Sequence, residues 1–412
     1  MTYNKKNYWL HLIEGGFIMG AVHFVSSQTV LPNLLKQLDC PDIYISLMPV
    51  ALFLGFLIPP IFTAHLLENR KLELPIIKYT TIIQRLPYLW TGLILIYGDN
   101  YFSNQMIAIV VLTCPFISGL FGGVTLPAWQ HLLKKTVDQK RISSMLAFRF
   151  IMSCGIGLFA GWVVNNLMKE STGLQIYGWL HLIAFVFMVL SYVLFILLEE
   201  KESKPAPQAK RKLSQTFKRI PELLKEEKLL KTYIVQIFLK NVPFFILPFM
   251  AIYFKDVYKK NDSYMGLLLS AQMSGSILGN FTAAYFGDKF GPRFNLLLST
   301  GSFVIMCVTI LFIDNEFCGI ICFFLSGITI FVSSVGNTAM SLFLSSQKFP
   351  STFYALISLC NAISFLFFAI ASSWFWNGTG SFNTMILLSL ITGLITIFFT
   401  LKLPSGYKKS YV

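Results

Sequence analysis

Residues Glu199–Lys231 read EEKESKPAPQAKRKLSQTFKRIPELLKEEKLLK, the one long polar interval in a chain of 412 residues. On both sides of it, apolar runs of about 20 residues follow one another, the length a helix needs to cross a bilayer. The interval therefore divides the chain into two halves of similar length, each with room for six spans. Hydrophobic residues make up 55% of the sequence and charged residues 13%, which places it among polytopic membrane proteins. The expected organisation is a first bundle over residues 1–198, a linker over 199–231 and a second bundle with a short tail over 232–412.

A net charge of +14 in a soluble chain would point to nucleic acid. Here the basic residues fall in short loops between spans, where they set orientation, so nucleic acid is not an expected partner. With both termini and the even-numbered loops on one side, that side holds 25 of the 33 Lys and Arg, ten of them in the linker. The asymmetry places the termini and linker in the cytoplasm of a protein of the plasma membrane, the inner membrane in a bacterium. The seven cysteines form no close-spaced metal or disulfide pattern, and no G-x-x-x-x-G-K-[ST] loop occurs. No cofactor and no metal are expected.

Charged and polar side chains inside apolar runs are the candidate functional residues, because each is costly in hydrocarbon unless paired or facing a cavity. The first span, Trp9–Leu31, carries Glu14, the one carboxylate that falls neither in a loop nor at a helix end, together with His11, His23 and Gln28. Span 2 (43–67) contains Pro59-Pro60, an expected kink. Span 3 (77–97) holds Arg85 about 12 Å from its start. Span 4 (105–126) has Gly119, Gly122 and Gly123, and span 5 (142–165) has Gly155, Gly157 and Gly161; both sets suit close helix contact. Arg149 stands one or two turns into span 5 and is placed either to snorkel to the interface or to pair with Glu14. Span 7 (232–254) combines Gln236, Lys240, Asn241, Pro243 and Pro248. A lysine at mid-depth beside prolines predicts a discontinuous helix that lines a cavity. The hydroxyls and Asn337 of span 10 read as glue within the bundle.

Between spans 8 and 9 stands Gly287-Asp288-Lys289-Phe290-Gly291-Pro292-Arg293. An acid, a base, a glycine turn and a further base, in a chain of two six-span halves with a long linker, resemble the cytoplasmic loop signature of the major facilitator superfamily. The first-half counterpart departs from the pattern, with His65 about where an acid would be expected, although Arg70 and Lys71 remain. The resemblance implies an all-α integral membrane fold of 12 transmembrane helices in two pseudo-symmetric six-helix bundles, working as a monomer. It also implies that the 287–293 loop is a gating latch with Gly287, Asp288, Lys289, Gly291 and Arg293 in it. By helix identity it carries Glu14, His23, Gln28, Gln236, Lys240 and Asn241 toward a central substrate path, with Arg85 and Arg149 behind them unless they reach inward.

The expected function is secondary transport of a small solute by alternating access. Arg85, Arg149 and Lys240 against Glu14 leave a mid-membrane excess of positive charge, which favours an anionic or zwitterionic solute. Glu14 or His23 is placed to carry a coupling proton, and Lys240, Asn241, Gln236, Gln28, His23 and Arg85 to contact the solute. Efflux of drugs or amphiphiles, or flipping of a lipid or oligosaccharide, is the alternative on the same fold. The resemblance itself weakens efflux, because span 4 lacks the intramembrane arginine associated with the family's proton-coupled members and span 5 the Gly-Pro seen in its drug/proton antiporters. A membrane-embedded enzyme is the remote alternative, since convergent acids or histidines are lacking and no HxxxH or HExxH spacing occurs. A sensor built on a transporter scaffold would rely on the basic linker, which reads instead as a tether lying against anionic headgroups.

Overall fold

The computed structural model describes residues 2–59, 71–98, 101–138, 141–170, 173–202, 220–226, 228–344, 350–376 and 381–405. Pro60, His65, Arg70 and most of the linker lie outside these residues, and so does the side chain of Asp288. Every regular element among them is a helix. In chain order these are α1 (Thr2–Ala21), α2 (Val30–Gln37), α3 (Asp42–Leu57), α4 (Leu74–Tyr97), α5 (Asn104–Thr136), α6 (Ile142–Glu170) and α7 (Leu174–Ile196). After the linker come α8 (Ile220–Glu226), α9 (Lys228–Leu239), α10 (Pro243–Val257), α11 (Tyr264–Phe290), α12 (Pro292–Phe312), α13 (Cys318–Leu344), α14 (Pro350–Phe375) and α15 (Phe382–Leu401). Among the described residues eight helical stretches are long and apolar enough to cross a membrane, with α9 and α10 together forming one of them. In hydrocarbon a helix satisfies its own backbone, so the apolar runs become helices whatever their local propensity.

The chain forms two compact units. The first comprises Met1–Arg211 together with Asn261–Leu269, and the second Lys212–Lys260 with Ser270–Val412. In the first unit α1 packs on α6 and α7, α3 on α5, and α4 on both α5 and α7. Where α3 meets α5 the backbones nearly touch: a Cβ on Gly119 would lie 2.4 Å from the Leu52 carbonyl oxygen. That is the close contact expected of the span-4 glycines. Gly155, expected on a packing face, instead has nothing within 4 Å of where its Cβ would stand. The segment 261–269 belongs to this unit through Gly266, whose Cβ position is 2.4 Å from the Gly161 oxygen. The Asn165 amide also donates to the Ser263 carbonyl at 2.9 Å, and Asp262 accepts from Asn33 at 3.1 Å and Gln37 at 2.7 Å.

In the second unit α9 and α10 pack on α14 and α15, and α12 on α13 and α15. The loop between α11 and α12 is shorter than the sequence suggested. Helix α11 runs on through Gly287 and Lys289 to Phe290, and the turn is Gly291 alone, at φ 82° with Pro292 opening α12. A positive φ next to a proline at the first helical position is what a glycine there permits. Arg293 turns to the neighbouring C-terminal end of α15, where its guanidinium donates to the carbonyls of Leu401 at 3.1 Å and Leu403 at 3.0 Å. It thus caps the last turn of α15 with charge of the favourable sign.

The first span of each half is broken. Span 1 is not the continuous helix expected over Trp9–Leu31: α1 stops at Ala21, residues 22–29 form turns, and α2 begins at Val30. The His23 and Phe24 amides fall back to the i−3 carbonyls of Gly20 and Ala21, and Ser26 Oγ accepts from the Gln28 amide. A run of Ser, Ser, Gln and Thr offers the backbone such local partners in place of helix. Span 7 breaks as expected, at Lys240-Asn241-Val242, between α9 and α10.

Candidate functional site

In the first unit the intramembrane charges are mutually engaged. Glu14 and Arg149 form an ion pair between α1 and α6, Nη1 to Oε2 at 3.2 Å, with both side chains largely buried. The same Nη1 is directed at the His11 carbonyl at 3.3 Å, so Oε2 receives charge without a well-aimed hydrogen bond. The guanidinium also lies over the Trp129 ring, 4.9 Å from its centroid, a cation–π contact. Arg149 enters this place across Gly15, where a Cβ would stand 1.7 Å from its Nε. His11 is anchored behind the pair by Nε2 to Thr136 Oγ1 at 3.0 Å. That hydroxyl already donates to the Leu132 carbonyl, so Nε2 carries the ring proton and Nδ1 is the free acceptor.

Arg85 sits between α4 and α7. Its Nε donates to the Met188 carbonyl at 2.8 Å, one terminal nitrogen to the Thr81 carbonyl at 2.7 Å and the other to Ser191 Oγ at 3.0 Å. The Tyr192 ring covers the guanidinium at 5.5 Å. Three directed bonds, two to α7 and one back to α4, hold the charge inside the first unit's own packing. His23, in the α1–α2 turn, reaches Ser153 of α6 at 3.3 Å, and Gln28 lies six residues before α2's buried Leu34 in the same interrupted stretch.

The second unit is different in kind. At the α9–α10 break the Val242 amide bonds to Leu239 O, and Pro243 has no N–H to offer the preceding turn. The Phe238 carbonyl, freed by the break, accepts from Ser364 Oγ of α14 at 2.6 Å. The Asn241 amide reaches the Asn361 side chain of α14 at 3.4 Å, and Asn361 in turn donates to the Ile357 carbonyl. One turn before the break Gln236 is fully buried with both amide atoms unpartnered. Lys240 stands at the C-terminal end of α9, the negative end of that helix dipole, and no hydrogen bond or ion pair engages its ammonium among the described residues. Within Leu229–Val257 the most apolar 18 residues have 78% of their number buried, the highest share among the eight membrane-length stretches. Non-helical backbone at membrane depth is tolerated under such cover.

The structure thus brings Gln236, Lys240 and Asn241 together and pairs Glu14 with Arg149. Arg85 joins neither the ion pair nor its hydrogen bonds, being held instead by the Met188 and Thr81 carbonyls and Ser191. Sequence reasoning missed Asn361 and Ser364. Asn361 is the one amide in the apolar run of α14, and the argument that singled out Asn241 applies equally to it. It also missed Glu73 and Glu200, which fall in polar stretches outside the apolar runs. The Glu200 side chain is 1% exposed and accepts from the Glu73 and Leu74 amides at 2.8–3.0 Å, capping α4. Its carboxylate also pairs with Lys135 at 2.9 Å. Among the described residues no three His, Cys, Asp or Glu side chains are grouped to hold a metal.

Two helical units carrying membrane-length helices, with one span broken in corresponding positions of each half, define a multi-pass integral membrane protein. The family it resembles is the Major Facilitator Superfamily, whose family model matches residues 232–410. The crystal structure of the D-xylose-proton symporter superposes with TM-score 0.72 at 13% identity, covering 98% of this chain and 99% of that one. That of a mutant form of the nucleoside transporter NupG gives 0.70 at 12%, covering 96% and 99%. A bacterial homologue of the human lysosomal transporter Spinster gives 0.63 at 13%, covering 97% and 96%. The uncharacterized MFS-type transporter YqjV of Bacillus subtilis (strain 168) is 42% identical over 53 residues, a stretch spanning 13% of this chain and 13% of that relative's length.

Proposed function

We propose that this chain is a secondary transporter that moves a small anionic or zwitterionic solute across the membrane by alternating access, with Lys240 as the residue that meets the solute's negative group. One observation carries the reading: a buried helix break presents an unengaged ammonium beside a buried amide, Gln236, that has no partner of its own. A polar group left unsatisfied in a protein interior costs about 1–3 kcal/mol. A solute that bonds to Gln236 and neutralises Lys240 recovers that cost, which is how such a site discriminates. Asn241, held toward α14 by Asn361, supplies a further donor. The neighbours' titles name solutes as different as D-xylose and a nucleoside, so the fold does not choose the solute, and the break does. The other intramembrane charges are occupied: Glu14 with Arg149, Arg85 with its carbonyls.

Proton coupling, the finer part of the reading, rests on Glu14, the one intramembrane carboxylate, and on an opening of its pair with Arg149. The test is thermal stabilisation and proteoliposome uptake across a panel of anions, zwitterions, cations and neutral solutes. An anionic or amino-acid-like solute is expected to stabilise the wild type, with at least a tenfold loss of affinity in Lys240→Ala and partial retention in Lys240→Arg. Glu14→Gln is expected to bind the solute while losing uptake driven by a pH gradient. Stabilisation confined to neutral or cationic amphiphiles and indifferent to Lys240→Ala would return efflux or flipping as the better account.

A further inference from the structure

At the end of the first unit that carries Lys6, Lys135 and the start of the linker, a cavity of about 430 Å³ opens between the start of α4 and the end of α7, lined by Leu74, Lys78, Tyr79, Ile82, Tyr192 and Glu200 among others. That is the size range of small-ligand sites. Its polar groups are not balanced against one another. The Glu200 carboxylate is consumed by Lys135 and by the amides at the head of α4. Lys78 has no ion pair and its ammonium no hydrogen bond among the described residues. The cavity therefore holds one uncommitted positive charge, flanked by two tyrosines.

Position says what meets it. Lys78 lies four residues into α4 and Tyr192 four residues before the end of α7, in each case about 6 Å along the axis at 1.5 Å per residue. That depth is the boundary between headgroups and hydrocarbon, a layer roughly 5–7 Å thick on each side of the apolar slab. Beyond the cavity both helices turn apolar side chains outward: Tyr79 is 73% exposed and Trp90 58% on α4, Val186 54% and Val193 46% on α7. In a membrane protein such a face is the one that meets acyl chains. Lysine with tyrosines at this level is the residue set that anchors to headgroup phosphates.

We infer that this cavity is a binding site for an anionic glycerophospholipid, whose phosphate is held by Lys78 with Tyr79 and Tyr192 beside it, and whose acyl chain runs along Ile82 between α4 and α7. The lipid neutralises Lys78 as Lys135 neutralises Glu200, so the two opposite charges at the head of α4 each acquire a counter-charge. A bound lipid joins α4 to α7 at the end where Glu200 already does so.

The experiment measures Tm of the purified protein in detergent with added phosphatidylglycerol, phosphatidylcholine, or glycerol 3-phosphate, with native mass spectrometry to count retained lipid. Phosphatidylglycerol at ten times its Kd is expected to raise Tm by about 2 °C and to remain bound in a one-to-one complex. Lys78→Gln is expected to lose both effects, Lys78→Arg to keep them, and Lys225→Gln, an exposed lysine of α8, to leave them unchanged. Equal effects of phosphatidylglycerol and phosphatidylcholine, or an undiminished effect in Lys78→Gln, would overturn the proposal and leave only unspecific lipid contact. Stabilisation by glycerol 3-phosphate as large as by the lipid would overturn it in favour of a soluble phosphate ligand.

Discussion

The Glu14–Arg149 pair is built on the smallest side chain beside it. Gly15 leaves open the space that the guanidinium occupies, and a methyl group there would overlap Nε. Gly15→Ala is therefore expected to expel Arg149 and strand a buried carboxylate, at a cost of about 3–5 kcal/mol, seen as a lower Tm and a broadened elution profile. Glu14→Gln with Arg149→Met together should cost less than the sum of the two single changes, because the double variant leaves no uncompensated charge. Outside the membrane, Glu73 is held at 2% exposure beside Glu200. Burial raises its carboxyl above the ordinary carboxylate value, outweighing Lys135 and His131, which pull it down. A raised folded-state pKa gives stability that is full below the unfolded value and lost as pH rises through the folded one. Wild type should thus lose Tm between mildly acid and neutral pH relative to Glu73→Gln, with the gap closing toward acid. Glu14, Lys240 and Arg85 were legible in the sequence because a lone charge in an apolar run announces itself. Glu73 and Glu200 were not, because loop carboxylates in a polar stretch look solvated until a helix end is seen to need them.

The elements that decide the candidate site are two interrupted helices, and they differ in how far the sequence shows the interruption. The α9–α10 break is written in Lys240, Asn241 and Pro243, since proline at the first position of α10 withdraws the N–H that would continue α9. Pro243→Ala restores that donor and removes the ring that clashes with the preceding turn. It is expected to keep or raise Tm while reducing solute affinity and uptake, since a healed helix no longer presents Lys240 and Asn241 as the break does. Ser364→Ala removes the hydroxyl on Phe238 O and should cost about 1 kcal/mol, measurable as a small drop in Tm. The α1–α2 break has no proline or glycine within residues 21–30; there the Ser26 hydroxyl accepts from the Gln28 backbone amide, a local bond that composition and hydropathy do not register. The loop signature at 287–293 showed the family resemblance better than it showed the local structure, because α11 continues through most of it and Arg293 serves α15.

At the scale of the whole molecule the chain is tied at the lysine-rich end of the first unit by Glu200, where the linker begins. Glu200→Gln leaves Lys135 without its closest counter-charge and weakens the cap on α4. The expected result is a Tm several degrees lower, with faster hydrogen exchange confined to residues 72–80 and the end of α7. An unchanged exchange pattern would show that the cap is dispensable. The membrane-length helices followed from apolar length alone, but the membership of the units did not, because it is decided by packing across long sequence separations. Residues 261–269 belong with the first unit through Gly266, Asn165 and Asp262. Chain order and unit membership therefore disagree. A ribosome makes the chain from the N-terminus, and domains ordinarily fold as they emerge. Here the first unit stays unfinished until position 269 has been synthesised, so α9 and α10 are made and inserted before the unit that precedes them is complete. Cutting the chain between Arg211 and Lys212 would leave the N-terminal fragment without residues 261–269 of its own unit, which would stay on the C-terminal fragment.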